Sequence, residues 1–234
     1  MIQSQHLKYL SIPSFEKIPF LCHGFGTKFF KEEDFKKIPE WRNFRLVFLD
    51  QIHSDIVHCI EEFPSNELKG DALLTNKPFL FLILETADCL PVLMIDEFKR
   101  AVAAVHCGWR GTSKRVIQKA VKKLEEHYGC KPSSLLVAMG PSIGNNCYEV
   151  GEDVRRSFEK EALSMDAFQS KPLYKGKYAL DLKKSNSLQL MDLGVNRKNI
   201  FSINSCTHCS KHLSSYRRDR KKAGRMLSFI GLSF

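Results

Sequence analysis

The sequence predicts an α+β fold. Three observations carry that reading: many short apolar runs of strand length, helical period in only a few separated stretches, and no regular alternation between the two. The runs at 46–52 (LVFLDQI), 55–61 (DIVHCIE) and 71–75 (DALLT) read as short strands. Residues 79–85 (FLFLILE) are apolar almost throughout, which suits a strand buried on both faces. The runs 90–96 (LPVLMID) and 101–107 (AVAAVHC) follow after short turns. From 112 to 127 the period changes: Val116, Ile117, Ala120, Val121 and Leu124 share one helix face, with Lys and Glu opposite. Thr112 or Ser113 is expected to cap its start and Gly129 to end it. Residues 135–140 return to strand, 152–163 and 181–193 read as helices, and 200–203 and 226–230 as late strands.

Length and composition narrow the function classes. A chain of 234 residues with 43% hydrophobic and 26% charged residues has enough apolar surface for its own core, so disorder and disulfide-stapled miniproteins are excluded. No repeat, low-complexity tract or linker divides it, and one domain over 1–234 is expected. The first twenty residues lack the apolar core of an export signal. The longest purely aliphatic–aromatic run, 79–84, has six residues, where a membrane helix needs roughly twenty. The expected place is therefore the cytoplasm, with no membrane partner, and the eight Cys are expected as thiols or metal ligands. The net charge of +10 is spread along the chain and interleaved with acids, apart from Arg217, Arg218, Arg220, Lys221 and Lys222. No recognition motif accompanies this charge, so a nucleic-acid-binding protein is disfavoured.

Three candidate ligands stand at the ends of apolar runs: His53, Cys89 and His106. Two imidazoles and a thiolate make a good zinc set with a fourth position left open. Their separations, 36 and then 17 residues, match no short zinc pattern, and by spacing alone core histidines and an inert thiol fit as well. The loop His106-Cys107-Gly108-Trp109-Arg110-Gly111 lies between a strand and a helix start, where N–H groups and Arg110 suit an anion. A plain strand-to-helix turn with a surface Arg explains it equally. Met139-Gly140-Pro141-Ser142-Ile143-Gly144, with Cys147 and Glu149 after it, is a second strand-to-loop switch. Cys206-Thr207-His208-Cys209 with His212 has the outline of a zinc knuckle. It lacks a second CxxC at finger spacing, which favours a thiol-bearing turn. Arg217 and Arg218 read either as a solvated basic loop or as an anion-binding wall.

Taken in order, QIH (51–53), GDALLTN (70–76), TADCLPVLM (86–94), AAVHCGWRGT (103–112), GPSIG…CYEVG (140–151) and SYRRD…GRMLSFI (215–230) resemble the laccase-domain family. That family was first described as multicopper polyphenol oxidases and is now regarded as purine nucleoside phosphorylases. The resemblance implies a mixed β-sandwich flanked by helices. It implies zinc on His53, Cys89 and His106, with adenosine, inosine and S-methyl-5′-thioadenosine cleaved by phosphate and adenosine deaminated in the same pocket. Arg110, Arg217 and Arg218 are the candidates for phosphate, and Asp88 or Asp219 for orienting a donor or moving a proton. Copper is disfavoured, because a multicopper oxidase needs many more histidines than eight scattered ones supply. The family's N-terminal S-T-R-x-G-G stretch is replaced by Gly26-Thr27-Lys28-Phe29-Phe30, Ser54 stands where Gly is expected, and Asn146-Cys147 replaces a Cys pair. The competing enzyme readings are a Cys89–His106 hydrolase and an editor of peptidoglycan precursors. The preferred nucleoside and the oligomeric state are not encoded in any motif.

Overall fold

The computed structural model describes residues 8–170 and 176–234. Two mixed sheets face one another. The first has five strands in the order Tyr9–Leu10, Leu21–Gly26, Met226–Leu232, Leu80–Thr86 and Arg45–Val47. The second has six: Ile200–Ser202, Leu136–Met139, Leu90–Asp96, Ala101–Cys107, Ala72–Thr75 and Val57–Cys59. A small antiparallel sheet of Glu149–Gly151, Lys177–Leu180 and Phe168–Ser170 lies apart in the pairing. The architecture is α+β, as the sequence predicts.

Strand alternation sorts the side chains into three apolar layers. Leu82, Leu84 and Ile230 of the first sheet pack with Leu93, Ile95, Val102 and Ala104 of the second to fill the sandwich. The alternate residues Phe81, Ile83 and Phe229 turn outward beneath Phe30, Phe35, Trp41 and Phe44. On the far side of the second sheet, Val92, Met94, Ala103 and Val105 meet the helix Val116–Tyr128 through Val116, Ile117, Ala120, Val121 and Leu124. Both central hydrophobic strands are thus covered on two faces, which is why 79–85 carries no polar alternation.

The structure departs from the expected elements where side chains have other partners. The helix expected over 112–127 is two helices, Trp109–Ser113 and Val116–Tyr128, broken at Arg115 in left-handed backbone (φ 63°). Neither expected cap acts as one: the Thr112 hydroxyl accepts from Asn186 Nδ2 at 3.1 Å, and Ser113 Oγ donates to the Arg110 carbonyl at 3.0 Å. Gly129 does end the second helix, in left-handed backbone with its N–H on the Glu125 carbonyl. The run 46–52 keeps strand pairing only to Val47. The strand Leu21–Gly26 gave little strand signal because of Gly24 and Gly26. A Cβ on Gly24 would lie 2.5 Å from the Phe229 ring, so the outer aromatic layer requires a glycine there.

Candidate active site

The three residues expected at strand ends converge where the two sheets meet, although His53 comes from a connection six residues beyond its strand rather than from the strand's end. Cys89 sits in the turn that leaves the Leu80–Thr86 strand of one sheet and enters the Leu90–Asp96 strand of the other. His106 is the penultimate residue of Ala101–Cys107, paired opposite Pro91. His53 lies in the connection after Arg45–Val47, and Gln51 fixes that connection. Its side-chain amide donates to the Glu85 carbonyl at 3.0 Å and accepts the Glu85 N–H at 2.7 Å, extending the sheet edge with a side chain. His53 itself takes left-handed backbone (φ 57°).

The ligand atoms of His53, Cys89 and His106 all lie within 4.8 Å of one another, with His53 Nε2 3.9 Å from Cys89 Sγ. His106 is buried, Cys89 partly buried and His53 exposed, so the cluster opens on one side. Asp71, fully buried just before the strand Ala72–Thr75, holds the group together. One carboxylate oxygen accepts from His106 Nδ1 at 2.7 Å and from the His53 N–H at 3.1 Å. The other accepts from the Ser54 N–H and, at 2.7 Å, from its hydroxyl. With Nδ1 committed to Asp71, His106 turns Nε2 into the cluster. Gly108 leaves the space: a Cβ there would stand 3.0 Å from Cys89 Sγ and 3.1 Å from the His53 ring.

Electrostatics favour a thiolate. Burial pushes the Cys89 thiol up, but the His106 charge and the hydrogen bonds from both histidines bring it down to about 6. Burial opposes charge on His106, yet Cys89 and Asp71 together raise it to about 9. A cation between the ligands would take the place of the imidazolium proton. Two imidazoles, one thiolate and a carboxylate-anchored ring form a donor set that fits zinc or another thiophilic ion.

Above the cluster is a cleft of about 710 Å³, with Trp109, Tyr148 and Tyr216 on its walls. Arg110, Arg217, Arg220 and Arg225 line it, together with the acids Asp50, Glu67, Glu85 and Asp88. Arg110 stacks on Trp109, 4.3 Å from the ring centroid. Arg217 donates to the Glu149 carbonyl at 3.0 Å and lies 5.4 Å from the Tyr148 ring centroid. Asp88 is in left-handed backbone (φ 85°) with both carboxylate oxygens occupied, by Thr207 Oγ1 and by the Arg217 N–H, each at 2.6 Å. These bonds tie Asp88 to the start of the arginine segment.

Arg218 does not face the cleft. Its guanidinium gathers the carbonyls of Thr207, His208, Ser210 and Leu213 and pairs with Asp219. Arg218 and Asp219 are thus spent on folding a loop, and the arginines of this segment that line the cleft are Arg217, Arg220 and Arg225. The anion site expected at a helix start is also reduced, since Gly108 opens a helix of only five residues. Asp71, Tyr148 and Arg225 escaped the sequence reading. Of these, Asp71 had a signal, a lone acid entering an apolar strand behind Gly70.

Fold and site together define a known family. A family profile described as multi-copper polyphenol oxidoreductase laccase matches residues 32–233, and the chain belongs to that family. Among its relatives, a purine nucleoside phosphorylase of Clostridium acetobutylicum is 40% identical over 202 residues, covering 85% of this chain and 82% of that protein. The purine nucleoside phosphorylase YfiH of Escherichia coli is 32% identical over 228 residues, covering 95% and 89%. The crystal structure of YlmD from Geobacillus stearothermophilus superposes with a TM-score of 0.87 at 28% identity, over 99% of this chain and 98% of that one. YfiH of Bacillus licheniformis gives 0.86 at 30% identity, over 97% of both. No helix among the described residues is long and apolar enough to cross a membrane.

Proposed function

We propose that the protein is a zinc-dependent purine nucleoside phosphorylase acting on adenosine, inosine and S-methyl-5′-thioadenosine, with adenosine deamination as a side activity. The observation that carries this reading is a His–Cys–His cluster at the floor of an arginine-lined cleft, in a chain whose relatives bear that enzyme's name. Zinc held by His53, Cys89 and His106 supplies a Lewis acid at the open side of the cluster. The chain supplies the rest. Arg110 and Arg217 hold phosphate against the sugar, and Trp109, Tyr148 and Tyr216 flank the flat purine. A phosphate oxygen bonds to C1′ of the ribose as the C1′–N9 bond breaks, the bonding pair leaves with the base, and the base takes up a proton. Asp71 keeps His106 in the tautomer that offers Nε2. The cysteines suit a reducing compartment, and we place the enzyme in the cytoplasm.

Inosine turnover tests the reading. Hypoxanthine and ribose 1-phosphate are expected only when phosphate is present, and Arg110→Ala or Arg217→Ala should raise the KM for phosphate more than that for inosine. Equal hypoxanthine release in phosphate-free buffer means hydrolysis and removes the phosphorylase. A second reading, a Cys89–His106 hydrolase, draws on the depressed Cys89 thiol beside a raised imidazole. Copper chemistry has less support, since among the described residues the cleft adds no further histidine to these two.

A further inference from the structure

A second cluster of thiols stands apart from the three cleft ligands. The loop 140–149 and the loop 203–215 run side by side, bridged at Ser142 and Cys206. The Thr207 N–H donates to the Ser142 carbonyl at 3.0 Å and the Gly144 N–H to Cys206 Sγ at 3.2 Å. This brings Cys147 across 62 residues to within 3.4 Å, sulfur to sulfur, of Cys209. Ligand atoms of Cys147, His208 and Cys209 all lie within 4.8 Å of one another. The Cys206 thiol neighbours both Cys147 and Cys209, beside that 4.8 Å group rather than within it. The partner that the lone CxxC lacked in the sequence is thus a single thiol from another loop.

We propose that Cys147, Cys206, Cys209 and His208 form a second, structural metal site for a thiophilic divalent cation of the zinc class. Three cysteines and a histidine are a closed structural zinc set, distinct in donor number from the open three-ligand cluster in the cleft. Tetrahedral ligands at about 2.3 Å from zinc place sulfurs about 3.8 Å apart. The observed 3.4 Å needs only a small opening for that spacing, whereas a disulfide requires contraction to about 2.0 Å. The backbone is already shaped for a charged sulfur: Cys206 accepts N–H groups from both Gly144 and Cys209, as the first cysteine of a metal knuckle does. Burial pushes Cys206 up, but these hydrogen bonds lower it, while Cys147, half-buried and facing two other thiols, is raised to about 12. Arg218 binds the carbonyls of Thr207, His208, Ser210 and Leu213, so the ligand loop is preformed.

The position gives the site a purpose independent of the reaction chemistry. Ile143 and Tyr148 on one loop, and Arg217 just beyond the other, line the cleft. A metal at the thiol cluster staples those two walls together.

The test uses the full chain purified under reducing conditions, with zinc counted by elemental analysis and its affinity read by competition with a chromogenic chelator. The His53→Ala/His106→Ala variant should retain about one zinc per chain, the stoichiometry of one closed four-ligand site. Adding Cys206→Ser and Cys209→Ser should remove it. Because those changes are in a packed loop, His208→Gln provides a milder arm that keeps all three thiols. It should fold with native circular dichroism and bind this zinc at least tenfold more weakly. Cobalt(II) in the His53→Ala/His106→Ala background should give intense thiolate charge-transfer absorbance, lost on Cys147→Ser. A His53→Ala/His106→Ala protein that is folded yet binds no zinc overturns the proposal. So does zinc whose affinity is unchanged by His208→Gln and Cys147→Ser, or a Cys147–Cys209 disulfide as the form found under reducing conditions.

Discussion

Replacing Asp71 by Asn removes one charge and no volume, and its effect can be worked through atom by atom. Four donors point at the carboxylate: the His53 and Ser54 N–H groups, the Ser54 hydroxyl and His106 Nδ1. An amide offers one oxygen and one NH2, so either orientation sets the NH2 against two donors. The Ser54 hydroxyl can rotate to accept, but a backbone N–H cannot, and one orphaned N–H costs about 1–3 kcal/mol. If the NH2 instead faces His106, the imidazole answers by moving its proton to Nε2, the atom that must be free to hold a cation. Loss of such an anchoring carboxylate typically weakens metal binding about 10–100-fold, or roughly 1.4–2.7 kcal/mol. Chelator competition on wild type and Asp71→Asn, with a thermal melt of each metal-free protein, separates the two effects. We expect the affinity loss and a lowered melting temperature together. An affinity within twofold of wild type in a folded Asp71→Asn protein would refute the assignment of Asp71 as the residue that orients His106.

Three further outcomes follow from contacts already described. Gly108→Ala places a methyl 3.0 Å from Cys89 Sγ, so metal content should fall sharply while the circular dichroism spectrum stays native; full zinc retention would contradict the crowding. Cys89 in metal-loaded protein should resist iodoacetamide and become reactive once chelated, because coordination occupies the sulfur; rapid labelling with zinc retained and activity lost would favour the hydrolase. Buried His23 accepts the Ile12 N–H at 3.0 Å, and burial lowers its pKa to about 4 from 6.5. The unfolded chain therefore binds the proton first, and stability present above about pH 6.5 should decline as pH falls towards 4, by up to about 3 kcal/mol. His23→Gln should flatten that slope, and an unchanged slope in denaturant melts across this range would remove His23 as its source.

The sequence disclosed most of what periodicity can encode. Two-sided burial of 79–85, the strands 90–96 and 101–107, and the apolar face of Val116–Tyr128 all follow from local pattern. It disclosed less where a side chain substitutes for backbone pairing. Nothing local in 46–52 says that Gln51 will clasp the Glu85 peptide and end the strand early. Nor does Thr112, a good cap by type, announce that Asn186 will take its hydroxyl. The three cleft ligands were legible as strand ends and became a set through their motifs, because separations of 36 and 17 residues carry no local signature. Arg218 shows the opposite failure: composition groups it with Arg217, but which of two adjacent arginines faces outward depends on the carbonyls each meets.

The turn carrying Cys89 is the point where the chain steps from one sheet into the other, with His53 joined to the first sheet's edge and His106 to the second. No single sheet owns the cluster, so cation affinity is a property of the docked sandwich. A cation that binds there stabilises the docked state by RT ln(1 + [L]/Kd), about 2.7 kcal/mol at a free concentration one hundred times Kd. On the proposed reading, a bound cation therefore adds to the stability of a sandwich already held by its apolar core.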